Sequence, residues 1–410
     1  MAKVLISLIG TGRIAKGDSE KNEYQTTDYI IENQLYKNNT LVSSALIKHY
    51  DIETIFFIGT KQSMWDNLCY LFEANDEYTL SLLEKKEQNK VTEKDLIQLS
   101  NTINKKQNST NSKCIIIEDS EKEEHLWNMF DKFLDILDAL DKRDELYFDI
   151  THLFRSVSVL SMITAQFARI SYDFKISGIF YGLLKKDGPS NIVNLSVFFE
   201  LLDWARAINY LKKFGNSFEL VKLLEQTNES NELKNSFKNF SDALSISDIG
   251  ALQNSIKQLK GKINLFKEHD SHFIKLISTE LQDFIKRLDI NSLAKFQFEL
   301  TKWYEENHNY SFAYLTLTEA IISAICEENN LDPISTDDRR EAKNIIWEYG
   351  DYKKSDKKKQ EINDIYHKVN NIRINIAHKT PAQGSKTKIY PSQSIENLSN
   401  YIKKVAILFK

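Results

Sequence analysis

Two residues in the stretch NNIRINIAHKTP (370–381) have side chains suited to phosphate chemistry. Arg373 is a permanently charged fork that can grip a phosphate. His378, with a pKa near neutrality, can give and take protons. Around them, KKQEINDIYHKVNNIRINIAHK reads as one helix, with Ile362, Ile365, Val369, Ile372 and Ile376 recurring at three and four to face a core. A helix turns about 100° per residue, so Arg373 and His378 point about 140° apart. Taken alone, an Arg and a His so spaced are two solvated polar residues. Asn370, Asn371 and Asn375 crowd the pair although asparagine is a poor helix former, and Ala377 leaves the approach to His378 open.

A second set of chemically competent residues sits near the start of the chain. GTGR (10–13), GTKQS (59–63) and THLFRS (151–156) each follow an apolar run. Hydroxyls, a Lys or Arg and nearby peptide NH groups suit phosphates, and the third loop also opens a helix whose NH groups would point at an anion. Gly10, Thr11, Gly12, Arg13, Thr60, Lys61, Thr151, His152 and Arg155 are the candidate ligand-binding residues. A purely structural role is also available to DITHLFRS, with His152 capping a sheet edge and Arg155 paired to Asp149.

The elements that must position these groups follow from the apolar pattern. VLISLI (4–9), TIFFIG (54–59), KCIIIE (113–118), ELYFDIT (145–151) and FKISGIFYG (174–182) read as strands, most of them continuous runs as expected for strands buried on both faces. Helical stretches lie between them at about 40–50, about 61–74, 123–142 and 155–170. The alternation predicts an α/β, Rossmann-like domain with a mostly parallel sheet, whose ligands bind beyond the carboxyl ends of the strands. The Lys-, Asn- and Gln-rich segment 84–113 reads as a solvated excursion, a mobile loop. After about residue 195 the period changes to three and four, predicting an all-α half. EQTNESNE (225–232) and Pro333 mark breaks, DDRREAK (337–343) a charged helix start, and SKTKIYPSQS (385–394) a loop before the last helix.

Bulk properties narrow the classes. The 410 residues carry a net charge of −4, which excludes a globally basic nucleic-acid binder while leaving local patches open. Three distant cysteines, Cys69, Cys114 and Cys326, predict neither a disulfide framework nor a zinc site, and suit a reducing cytoplasm. The opening apolar run is too short for a signal peptide or a membrane span, so no membrane partner is expected. GTGRIA matches a dinucleotide fingerprint, but AKGDSEKNEYQTT (15–27) lacks helical periodicity. Although Glu32 follows the short run YII, the next convincing strand ends in Gly59-Thr60 without an acid, so no nicotinamide or flavin cofactor is expected. His269, Asp270 and His272 are close enough to consider zinc but lack a further ligand, so no metal is assigned.

LISLIGTGR, FIGTKQSMWD and FDITHLFRSVSVL resemble the sensor domain of CRISPR-associated CARF proteins of type III systems, within the branch that carries D-x-T-H-G-F-R-S. FFELLDWARAINYLKKFGN is similar to the segment that follows that sensor, and Leu153 stands where the family usually has Gly. IRINIAHK resembles the R-x4-6-H signature of HEPN ribonucleases. The resemblance implies a CARF sensor at 1–195, a helical connector at 196–290 and a HEPN domain at 291–410. It implies cyclic oligoadenylate (tetra- or hexa-adenylate) as allosteric activator, single-stranded RNA as substrate and no cofactor for catalysis. A homodimer or higher oligomer would place two Arg373 and two His378 in one cleft, with Asn375 orienting the phosphate or His378, and Tyr366, His367 and Lys379 beside the RNA path. Cleavage would be metal-independent and leave a 2′,3′-cyclic phosphate. The alternatives are a catalytically silent cyclic-nucleotide-binding regulator and a ring nuclease that degrades its own activator in the CARF domain.

Overall fold

A computed structural model describes every residue except 13–23, 119–121, 184, 186, 187, 227–229, 269–271, 352, 354, 379–390 and 410, with backbone alone at 265, 266, 272, 377, 378 and 391. Packing divides the chain into two units, Met1–Leu201 and Leu202–Lys410.

The first unit is a mixed sheet covered by helices. Its strands are β1 (Lys3–Ile9), β2 (Thr27–Ile31), β3 (Gln34–Asn39), β4 (Thr54–Gly59), β5 (Lys113–Ile116), β6 (Glu145–Asp149), β7 (Lys175–Gly182) and β8 (Ser190–Asn194). Their order is β3-β2-β8-β7-β6-β1-β4-β5. The five strands from β7 to β5 run parallel, β8 is antiparallel to β7, β2 is parallel to β8, and β3 closes a hairpin on β2. The helices are α1 (Val42–Tyr50), α2 (Trp65–Leu71), α3 (Asp76–Glu87), α4 (Glu93–Gln107), α5 (Glu123–Asp138) and α6 (Arg155–Ser171).

The period-2 geometry of the strands splits the core in two. Leu5 and Ile9 of β1 and Ile55 and Phe57 of β4 pack on one face beneath α1, α2 and α4. Val4, Ile6 and Leu8 with Phe56 and Ile58 pack on the other beneath α5 and α6. That double burial is why these strands read as unbroken apolar runs. The expected mobile loop at 84–113 is corrected: α3 and α4 occupy most of it. Leu96, Leu99 and Ile103 of α4 are fully buried, and Thr92 forms a capping box with Asp95 at its start. Its polar composition belongs to the outer face of a packed helix.

The second unit is helical around one core that runs from Trp204 to Val405. α7 (Val197–Phe214) enters it. α8 (Phe218–Glu225), α9 (Asn231–Ser245), α10 (Ile249–Lys267), α11 (His272–Leu288), α12 (Leu293–Glu306), α13 (Tyr310–Glu328), α14 (Thr336–Glu348), α15 (Lys357–His378) and α16 (Pro391–Val405) follow. α13 is the central helix, buried along most of its length from Ala313 to Cys326. Ser335 caps α14 through the Asp338 amide, and Asp337 and Asp338 lie in its first turn, where the helix dipole favours them. All three cysteines are buried and free. Among the described residues, no helix is long and apolar enough to cross a membrane.

Candidate functional site

A crevice of about 370 Å³ opens at the carboxyl ends of β1, β4 and β6. Gly10, Thr11, Gly12, Thr60, Thr151 and His152 line it, together with Tyr24, Thr27, Tyr29, Thr40 and Met64. Each loop is tied down by its own hydrogen bonds. The Ser63 hydroxyl donates to the Ile9 carbonyl at 2.7 Å and accepts from Thr60 N at 2.9 Å, while Met64 N donates to the Gly10 carbonyl at 2.8 Å. These bonds lock the turn after β4 onto the end of β1. Gly12 has φ +76, a left-handed conformation that glycine adopts without cost, and a Cβ there would stand 2.6 Å from the Tyr24 ring.

The turn after β6 is built on a buried acid. Asp149 Oδ1 accepts from Thr151 N at 3.0 Å and Oδ2 accepts from the Ser7 hydroxyl at 2.9 Å. Thr151 Oγ1 in turn accepts from Gly182 N at 2.8 Å, tying β6 to β7. Leu153 has φ 90, so this position keeps a backbone natural to glycine while bearing a leucine. The leucine side chain packs against the core on the α5–α6 face of the sheet. Burial holds the Asp149 carboxyl above its ordinary range and the His152 imidazole below its own, although each pulls the other back. His152 therefore presents a neutral ring to the crevice at physiological pH.

On the far wall, the Tyr24 hydroxyl donates to both Asp66 oxygens at 3.0 and 2.9 Å, and Lys86 pairs with Asp66 at 2.9 Å. Burial and Asp66 push the Tyr24 phenol well above its usual value, so it stays protonated. Among the described residues the lining carries no lysine or arginine. A ligand would meet hydroxyls, peptide NH groups and the uncapped start of α6, which has no acid in its first turn.

The other sequence candidates lie elsewhere. Lys61 is exposed and lines a neighbouring cleft of about 680 Å³ with Gln62, His125 and Lys132. Arg155 is exposed as the first residue of α6 and does not line the crevice. Arg13 lies outside the described residues. Tyr24, Thr27, Tyr29 and Thr40 lie outside the sequence candidates, because they reach the crevice from β2, the residues just before it and the turn before α1.

In the second unit, α15 carries Arg373, Asn375 and, as its last residue, His378, whose side chain is outside the described set. Ile362, Ile365 and Val369 are buried and Ile372 packs at the core edge, but Ile376 is 46% exposed. The expected core stripe therefore ends one turn early, and Ile374 beside it is 40% exposed. The Arg373 guanidinium lies 3.7 Å from Glu319 of α13. Asn375 Nδ2 donates back to the Asn371 carbonyl at 2.6 Å. Tyr366 is only 5% exposed, at odds with a place along an RNA path, and Lys379 lies outside the described residues. The His367 ring packs edge-on against Trp347 at 4.6 Å. Of the histidine cluster weighed for zinc, His269 and Asp270 are outside the described residues, as is the His272 side chain.

Residues 4–183 match the family model described as the CARF domain of the CRISPR system endoribonuclease Csx1. Residues 200–292 match the second domain of CRISPR-associated protein MJ1674. The chain is 31% identical to CRISPR-associated protein MJ1674 of Methanocaldococcus jannaschii over 431 aligned residues, covering 99% of its own length. It is a CARF-containing CRISPR accessory protein. This CARF protein spans 66% of the length of that curated relative. A solved structure, Enterococcus italicus Csm6 bound to cyclic hexa-2′-fluoro-hexa-dAMP, aligns with 99% of the CARF protein and 93% of its own chain. Its identity is 11% and its TM-score 0.37, too low to place residues.

Proposed function

We propose that this CARF protein is a cyclic-oligoadenylate-activated, metal-independent endoribonuclease of type III CRISPR defence, acting in the cytoplasm on single-stranded RNA. The observation that carries the reading is one chain in which a CARF-matched unit holds a preformed crevice and a helical unit holds Arg373 and His378 on α15. In this reading residues 1–195 sense the ligand, 196–290 connect, and 291–410 form a HEPN ribonuclease. The crevice is lined by threonine and tyrosine hydroxyls, a neutral imidazole and glycine loops, which suits the bases and phosphodiesters of a cyclic nucleotide. A symmetric ring spanning two copies makes each crevice a half-site.

Arg373 and His378 diverge on one helix, so the catalytic cleft forms between two copies. His378 takes the proton of the RNA 2′-hydroxyl as the 2′-oxygen attacks phosphorus. The P–O5′ bond breaks, the 5′-oxygen takes a proton, and a 2′,3′-cyclic phosphate remains. Arg373 stabilises the charge of the phosphorane. Ligand binding favours the state of the dimer that is competent for cleavage, which requires different affinities for two states.

The direct check is RNA cleavage by the full chain with cyclic tri- to hexa-adenylates and with EDTA. At least one ring should activate, EDTA should leave cleavage intact, and His378→Ala should abolish cleavage while preserving ligand binding. Cleavage lost to EDTA, or indifferent to every ring, overturns the reading.

A further inference from the structure

Three charged side chains from three consecutive helices converge in one cluster: Glu319 on α13, Arg339 on α14 and Arg373 on α15. Arg339 Nη2 donates to Glu319 Oε2. The same guanidinium donates through Nη1 to the Pro333 carbonyl at 3.0 Å and reaches Ser323 Oγ at 3.4 Å. Arg339 is therefore anchored by groups other than Glu319, and it fixes the carboxylate in turn. The second oxygen, Glu319 Oε1, stands 3.7 Å from Arg373 Nη2. That separation is an ion pair rather than a hydrogen bond, so Arg373 is steered while, among the described residues, its donors stay free for another acceptor. Exposure grows along the series, from 20% at Arg339 through 29% at Glu319 to 39% at Arg373, so the free fork is the one that meets solvent. The buried Tyr366 belongs to the same cluster. Burial and then Glu319 hold its phenol up, while Arg373 and Arg339 pull it down.

We propose that Glu319, carried by Arg339, is a positioning residue that sets the direction in which the Arg373 guanidinium meets the RNA phosphate. The inference rests on the reading of Arg373 as the phosphate-binding arginine. Arg339 offsets the charge of Glu319, so the cluster keeps one positive charge and Glu319 orients Arg373 without cancelling it. A carboxylate that merely occupied Arg373 would behave oppositely: removing it would free the arginine and strengthen RNA binding.

The test compares Glu319→Gln, Glu319→Asp, the double variant Glu319→Met with Arg339→Met, and Arg373→Ala. Each is assayed as the full chain activated by cyclic tetra-adenylate and, separately, cyclic hexa-adenylate. Thermal unfolding of each variant reports folding. Misdirecting the fork should lower kcat by ~10²-fold in Glu319→Gln, with KM for RNA within about threefold. Glu319→Asp should recover most of the rate. The methionine pair removes both partner charges and keeps the fold, since apolar replacement of a paired charge is often neutral. Its kcat should stay as low as that of Glu319→Gln. Restored cleavage in the methionine pair, wild-type kcat in Glu319→Gln or a lowered KM overturns the positioning role. An inactive Arg373→Ala beside a fully active Glu319→Gln sinks this inference alone, whereas a fully active Arg373→Ala sinks the underlying assignment as well.

Discussion

The Ser7 hydroxyl donates to Asp149 Oδ2 across 2.9 Å between adjacent strands, and neither side chain has any exposure to solvent. The other Asp149 oxygen holds the Thr151 amide, so one carboxylate joins the middle of the sheet to the turn that lines the crevice. Asp149→Ala strands the buried Ser7 hydroxyl, at about 1–3 kcal/mol, and frees the part-buried Thr151 amide at a smaller cost. Asp149→Asn, which retains an acceptor for Thr151 and can donate to Ser7, should cost far less. Denaturant unfolding of the two variants checks the order.

The His152 imidazole is held below its ordinary value by burial, which fixes the sign of a pH effect. As pH falls through about 6.5, the unfolded chain takes up this proton before the folded one does. Stability carried by His152 is complete above that value and drains away below it, until the folded imidazole titrates. Asp149, held high by burial, acts in the opposite sense: its contribution is present at low pH and drains as pH rises from the ordinary carboxylate value towards its folded one. His152→Gln should therefore lose less Tm than the wild type between about pH 7 and pH 5.5. Scanning calorimetry of both proteins across that range reads the difference, and parallel curves would remove His152 from this role.

Gly12 is the crevice residue least tolerant of change. Gly12→Ala forces a left-handed alanine, a cost of roughly 1–2 kcal/mol, and sets its Cβ 2.6 Å from the Tyr24 ring. Tyr24 is fixed by Asp66 and Lys86 and cannot step aside freely. Calorimetric titration with cyclic tetra- and hexa-adenylate should show at least a tenfold loss of affinity, corresponding to about 1.4 kcal/mol.

Leu99 tests whether α4 belongs to the core of its unit. Its side chain is fully buried, so Leu99→Ala should cost about 2–5 kcal/mol. A loss under about 0.5 kcal/mol, the usual range for a surface site, would return the segment to the status of a peripheral loop.

Much of this architecture was legible because the chemistry that makes strands also makes a pattern. Leu5, Ile6, Phe56 and Phe57 are buried from both sides, and unbroken apolar runs have few other uses. α4 is masked in the sequence because its lysines and asparagines outnumber Leu96, Leu99 and Ile103, although those three keep helical spacing. The glycine and threonine loops announced the crevice, but its far wall did not. Tyr29 arrives on a hairpin at the other side of the sheet and Tyr24 on the segment leading into it, and nothing local in EYQTTDYII says where that hairpin docks. Thr60 borders both clefts, whereas Lys61, one residue further round the turn, lines only the second. Glu319 beside Arg373 was invisible for the same reason as the tyrosines: packing of α13 against α15 creates the pair, and spacing along the chain does not.

The place of β2 in the sheet has a consequence for the order of assembly. β2 follows β1 in the chain but takes β8 as its partner, pairing Tyr29 with Ser190. A ribosome delivers the glycine loops early and β8 last, so the hairpin that carries Tyr29 waits without its docking strand while more than a hundred residues emerge. The crevice cannot close during that interval, because Thr151, His152 and the strand that holds Tyr29 are still to come. Under the function proposed above, a newly made chain would answer a cyclic nucleotide only once the whole unit has been synthesised.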